Sequence, residues 1–350
     1  MTARRIVFFV ALLVCMPLWA EPLGLPSLQV PAENPQSPEK IVLGQLLFHD
    51  KRLSGDDTIS CASCHKPERA FTDGLAVAKG IDGQSGTRNT PTLLNAAYFS
   101  LFFHDGRADS LEQQVLGPLL NALEHGLKDA QSVVDIVRRD KNYQTRFQKV
   151  FSVKPGQIRI EHITKAIASY ERSLLNGNSA FDRYLFGTDR QAISASAARG
   201  LRIFRRKGNC ANCHEISWNN ALFMDNRFYN IGVGSKMIAP VLDDLIRAVR
   251  AGKTVDALSL SERQKSQLGR FNVTGQINDI GKFKTPSLRN IALTGPYMHD
   301  GSMATLEEVI EYYDRGGEKN PYLDAAIFPL HLTGQEKQDL VNFLKTLTGS

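Results

Sequence analysis

The sequence predicts a mainly α-helical protein made of two copies of one unit. Three observations predict it: apolar residues recur at helical spacing, few stretches alternate as strands do, and distinctive peptides recur in both halves of the chain. Ser37-Pro38-Glu39 opens a helix carrying Leu43, Leu46 and Leu47, with proline at the first helical position. Ile160, Ile163, Ile167, Tyr170 and Leu174 share one face of a second helix, which Asn176-Gly177 is expected to end. Thr333-Gly-Gln-Glu336 is a capping box that starts a last helix with Leu340, Phe343, Leu344 and Leu347.

The internal repeat sets the organisation. Thr90-Pro91-Thr92-Leu93-Leu94-Asn95 matches Thr285-Pro286-Ser287-Leu288-Arg289-Asn290, and His-Asp-Gly follows fourteen residues after each threonine, at His104 and His299. Leu111-Glu112 and Leu306-Glu307 continue the match, while Gly44…Phe48 and Gly200…Phe204 precede it in each half. The second half carries about 46 extra residues between roughly Trp218 and Lys284. Residues 177–192 join the halves, giving units at 21–180 and 181–350.

Composition bounds the rest. Of 350 residues, 42% are hydrophobic and 22% charged, which excludes disordered, collagen-like and multi-span membrane classes. The formal net charge is +6, or +4 without Arg4 and Arg5, and the longest basic run is Arg205-Arg206-Lys207, so no nucleic-acid partner is expected. Residues 1–20 read as a signal peptide: Arg4 and Arg5, an apolar run from Ile6 to Val14, then Leu18-Trp19-Ala20. That run is too short to span a bilayer, no later stretch is longer, and export to a bacterial periplasm follows.

Without Cys15 in the signal, four cysteines are left, as Cys61-Ala-Ser-Cys64-His65 and Cys210-Ala-Asn-Cys213-His214. In C-x-x-C-H the two thiols add across the vinyl groups of a haem and the histidine supplies a nitrogen to iron, so two covalently bound c-type haems are expected, with His65 and His214 as iron ligands. A zinc ribbon, a redox pair or two disulfides are the alternatives. The 145 residues between Cys64 and Cys210 are far more than a zinc ribbon uses. The fold class is therefore two tandem cytochrome c-like haem domains.

The repeat also aligns Pro118 with Tyr313, each fourteen residues beyond its histidine. If these positions face the open side of each haem, proline leaves the first iron open to a small oxidant. Tyr313 closes the second, as tyrosine does in some haem proteins, with Met298 and Met303 as rival ligands.

These residues make the chain resemble the bacterial di-haem cytochrome c peroxidases and their MauG-type relatives. The resemblance rests on the paired motifs and on Asp105-Gly106-Arg107-Ala108, Leu111-Glu112-Gln113-Gln114, Gly117-Pro118-Leu119, Asn121 with Glu124, and Phe283-Lys284-Thr285-Pro286-Ser287-Leu288-Arg289-Asn290. It implies hydrogen peroxide as substrate at the first haem, the second haem as the electron relay, and a calcium ion between them. Glu124 would be the catalytic glutamate and Gln114 the distal glutamine. Arg107 would pair with a haem propionate, His299 would contact the haem edge, and Asn89 with the carbonyls of Thr294 and Pro296 would hold calcium. Electrons would come from a small periplasmic donor, such as a cytochrome c or a blue copper protein, and a homodimer is the candidate assembly.

Three departures from the peroxidases bear on function. No histidine lies between His65 and His104 to block the first site. Tyr313 stands where the peroxidases have methionine and the MauG-type enzymes tyrosine. His104 stands where both groups place a tryptophan between the haems. The leading expectation is a peroxidase reducing peroxide to water. The alternatives are a MauG-like oxidase that uses peroxide to oxidise side chains of a partner protein, and a non-enzymatic di-haem electron carrier. The other histidines, His49, His125, His162 and His331, read as surface or packing residues.

Overall fold

The structure is a computed structural model and describes residues 21–349; the signal-peptide reading concerns residues outside that range. Helix accounts for 46% of the chain and strand for 4%, as the helical spacing predicts. None of the described helices is long and apolar enough to cross a membrane.

Six helices frame the two halves. In the first, α1 (Pro38–Phe48), α2 (Leu111–Leu120) and α3 (Ile160–Arg172) surround one core; in the second, α4 (Ala195–Arg205), α5 (Leu306–Asp314) and α6 (Gly334–Lys345) surround another. The expected starts are found. Ser37 Oγ accepts from the Lys40 amide at 3.2 Å, and Thr333 forms its reciprocal box with Glu336. Helix α3 ends at Arg172, with Ser173 as its cap, three residues before the Asn176-Gly177 stop signal. Residues 177–192 hold a further short helix, Ala180–Leu185, whose Phe181 is fully buried in the second core.

The two cores are copies. Helix α1 crosses α3 at Gly44, where an added methyl would fall 1.9 Å from Ala166 O; α4 crosses α6 at Gly200, where it would fall 2.0 Å from Asp339 O. Glycine is needed at both because the neighbouring backbone already occupies the space of a Cβ. Beside these crossings Phe48 meets Tyr170 at 5.1 Å and Phe204 meets Phe343 at 5.0 Å, edge to face or tilted. Each fully buried ring contributes roughly 1.5–3 kcal/mol of transfer free energy.

The extra segment of the second half folds on itself. Ile238, Leu245, Leu268, Phe271 and Ile280 form a third small core among short helices. A two-residue pairing of Phe228–Tyr229 with Phe283–Lys284 ties it back to the repeat.

Where the halves meet, the repeat produces reciprocal contacts. The Asn89 amide donates to His299 O at 2.9 Å, and the Lys284 amide, its counterpart, donates to His104 O at 2.8 Å. A buried ion pair holds the second half together: Arg289 makes two 2.9 Å bonds to Asp182, donates to Ala221 O, and also donates to Gly24 O. Gly24 thus brings the N-terminal segment, assigned by sequence to the first unit, against the second.

Candidate active site

Each C-x-x-C-H motif starts from a short helical turn behind the C-terminal end of a framing helix. Cys61–Cys64 forms one turn and Cys210–Asn212 a tighter one, and all four thiols are free. After each motif comes a phenylalanine in left-handed backbone conformation, Phe71 at φ 59° and Phe223 at φ 53°. The unusual conformation aims its carbonyl at the motif's histidine: His65 Nδ1 lies 3.0 Å from Phe71 O and His214 Nδ1 lies 2.8 Å from Phe223 O. A carbonyl can only accept, so Nδ1 carries the proton and Nε2 keeps its lone pair for a metal. Burial also lowers both imidazole pKa values, which favours the neutral, ligating form. Two thiols and one oriented imidazole per motif are the donor set that a c-type haem requires, and the residues fit that group.

The Phe71-Thr72-Asp73 and Phe223-Met224-Asp225 segments are a further element of the repeat that motif reading missed. The signal was present: Phe-x-Asp occurs six and nine residues after the two histidines.

Distinct side chains gather at each motif. At the first, the Cys61 thiol is pushed up by burial, then by the negative fields of Glu171, Cys64 and Glu124; Cys64 is pushed up to about 11 by burial, Asp73 and Glu124. The field of Glu124 therefore reaches the first motif. Burial raises its own pKa, opposed by the Arg107 guanidinium and by a 2.7 Å bond from Asn121 Nδ2. Arg107 stacks 3.5 Å over the Phe103 ring and holds both Asp105 oxygens at 3.0 Å through Nη1. Gln114 projects from α2, four residues before Pro118, and its Oε1 is buried without a partner among the described residues. A buried acceptor without a donor costs about 1–3 kcal/mol, so this oxygen is poised for a ligand.

At the second motif the corresponding helix, α5, brings Tyr313. Its phenol is pushed up by burial and then by the fields of the Cys210 and Cys213 thiols. Tyr312, its neighbour, is spent on packing: its hydroxyl donates to Ile231 O at 2.9 Å.

The remaining candidates lie between the units. His104 Nε2 sits 3.0 Å from Asn89 O, and burial with the nearby Arg88 lowers its pKa to about 4, so it is neutral. His299 is buried, stacked at 3.5 Å on Phe283, with Nε2 2.5 Å from Gln267 Oε1. Asn89 Nδ2 donates to Leu75 O at 2.8 Å. Its Oδ1, and the carbonyls of Thr294 and Pro296, receive no hydrogen bond among the described residues. His125 is buried, 2.6 Å from Leu53 O, as a packing residue. Sequence reading gave no role to Arg88, Gln267 or Glu171, because nothing local marks a charged or polar side chain that long-range packing will bury.

Known proteins with this arrangement are found. The family described as di-haem cytochrome c peroxidase matches residues 38–190. Cytochrome-c peroxidase IdrP1 of Pseudomonas sp. (strain SCT) is 37% identical over 332 residues, covering 93% of this chain and 85% of that protein. Methylamine utilization protein MauG of Methylorubrum extorquens is 38% identical over 317 residues, covering 91% and 80%. A crystal structure of a MauG-like protein associated with microbial copper homeostasis superposes with a TM-score of 0.77 at 35% identity, covering 95% of each chain. Both branches are thus about equally near. With its paired C-x-x-C-H motifs and this similarity over nearly its whole length, the chain belongs to the di-haem cytochrome c peroxidase and MauG family.

Proposed function

We propose that this is a periplasmic peroxidase that reduces hydrogen peroxide to water at the unit built on Cys61, Cys64 and His65. Electrons from a small redox protein, a cytochrome c or a blue copper protein, would enter through the unit built on Cys210, Cys213 and His214. The reading is supported by Glu124, partly buried, held by Asn121 and with its field reaching the first motif, and by the buried, unpartnered Gln114 Oε1. When bound, the haems supply the iron that takes up peroxide and the electrons that reduce it.

The chain's own residues supply the proton logistics. Cleaving the O–O bond requires a proton to pass from one peroxide oxygen to the other, which departs as water. Glu124 is partly buried and holds its proton above the ordinary carboxylate range, which suits a residue that must both accept and donate. The Arg107 guanidinium keeps that shift in check, and Gln114 offers an acceptor that can orient the peroxide O–H. Two protons and two electrons then yield two waters. His65 and His214 would ligate the irons, Arg107 would meet a haem propionate with nitrogens that Asp105 does not use, and Asn89, Thr294 and Pro296 would hold calcium through their uncommitted oxygens.

Glu124→Gln should lower peroxide turnover at least tenfold, within the ~10²–10⁴-fold typical of a general acid–base group, with both haems attached. Unchanged turnover rejects the role of Glu124. Tyr313 favours a second reading, a MauG-like oxidase acting on a partner protein, since an anionic oxygen ligand would lower the second haem's potential. Stoichiometric peroxide followed by a reduced small cytochrome separates the two. Rapid return to the resting spectrum supports the peroxidase, and a long-lived oxidised species indifferent to that donor supports the oxidase.

A further inference from the structure

Lys284 is a buried cation with no anion. It is 8% exposed, in the short pairing of Phe283–Lys284 with Phe228–Tyr229. No hydrogen-bond acceptor or carboxylate within bonding distance meets its Nζ among the described residues; it lies over the Phe99 ring, 3.7 Å from the ring centre. Asp225, the one carboxylate whose field reaches it, is already spent on the Tyr229 hydroxyl at 2.6 Å and the Arg227 amide at 2.9 Å. A cation over an aromatic face recovers less than an ammonium loses on leaving water. Lys284 thus has no ion-pair partner among the described residues.

The fold does not demand this lysine. Its counterpart in the first unit is Asn89, which makes the same backbone contact across the seam with a neutral side chain that donates to Leu75 O. Lys284 stands two residues before Pro286, whose backbone lies against His214, and its own amide and the Phe99 ring bind it to the opposite unit. A haem held at its vinyl edge by Cys210 and Cys213 turns its two carboxylates away from those cysteines.

We propose that the Lys284 ammonium is the counter-ion of a carboxylate of the second haem, and so raises that haem's affinity for its electron. The inference rests on the di-haem reading and assigns a partner within it. A positive charge close to a haem carboxylate cancels negative charge that would otherwise stabilise ferric iron. Lys284 therefore partly offsets the lowering of potential that Tyr313 ligation brings.

The test is spectroelectrochemical titration of both haems in the purified holoprotein, for wild type and for Lys284→Met, Lys284→Gln and Lys284→Arg. The uncharged variants should shift the ferric-to-ferrous ratio of the second haem about tenfold toward ferric at fixed potential, equivalent to 59 mV for one electron. The first haem should move several-fold less, and arginine should restore most of the wild-type value. The propionate bending bands of the resonance Raman spectrum should change with the same variants. An unmoved second haem in an uncharged variant with both haems attached, or a shift confined to the first haem, overturns the proposal. Absence of covalent haem from the wild type would instead defeat the di-haem reading.

Discussion

Glu171 makes the stability of the first unit depend on pH in an unusual direction. It lies on α3, 4% exposed, with Oε2 unpartnered among the described residues, and its field reaches Cys61. Burial, reinforced by the charge of Glu112 and opposed by Arg172, raises its pKa from 4.5 to about 8. The folded protein therefore binds this proton more tightly than the unfolded chain does. The stabilisation is complete below pH 4.5 and is lost progressively as pH rises towards 8, after which it is flat. Each pH unit in that window costs about 1.4 kcal/mol, so from 4.5 to 7 the native state loses about 3 kcal/mol through this group. Glu171→Gln keeps the shape and cannot ionise. Urea unfolding of the holoprotein by circular dichroism should show the variant about equal to wild type at pH 4.5 and about 3 kcal/mol more stable at pH 7. Parallel stability curves for the two proteins across this range would refute the reasoning.

Two further substitutions test the packing argument. Arg289→Met strands Asp182, which is 0% exposed, and should cost about 3–5 kcal/mol in urea unfolding, much of it recovered by adding Asp182→Leu. Gly200→Ala drives a methyl to 2.0 Å from Asp339 O; overpacking costs about 1–3 kcal/mol, of which helix propensity returns at most about 1, so thermal melting should fall. Gly156→Ala, with open space around it, is the control and should melt like wild type.

Much of this protein is written locally. Covalent haem attachment needs two thiols and an imidazole within five consecutive residues, so C-x-x-C-H is readable without a fold. The caps at Ser37 and Thr333 and the apolar spacing of α1, α3 and α6 are likewise decided within a few residues of chain. The repeat added long-range information, since two copies of one unit must place Pro118 and Tyr313 equivalently. In the structure the fields of Cys210 and Cys213 reach the Tyr313 phenol.

What only the tertiary structure decided is which polar groups lose water. Glu171 and Lys284 look like ordinary helix and loop charges in the sequence. Their burial is created by α3 packing on α1 and by the seam between the units, contacts made between residues far apart in the chain. The same holds for Asp182 and Arg289, 107 residues apart, and for the carbonyls of Phe71 and Phe223 that fix the tautomers of His65 and His214. Attachment chemistry is short-range and covalent, so the sequence determines it. Desolvation is a property of the assembled interior, and the folded chain alone reveals it.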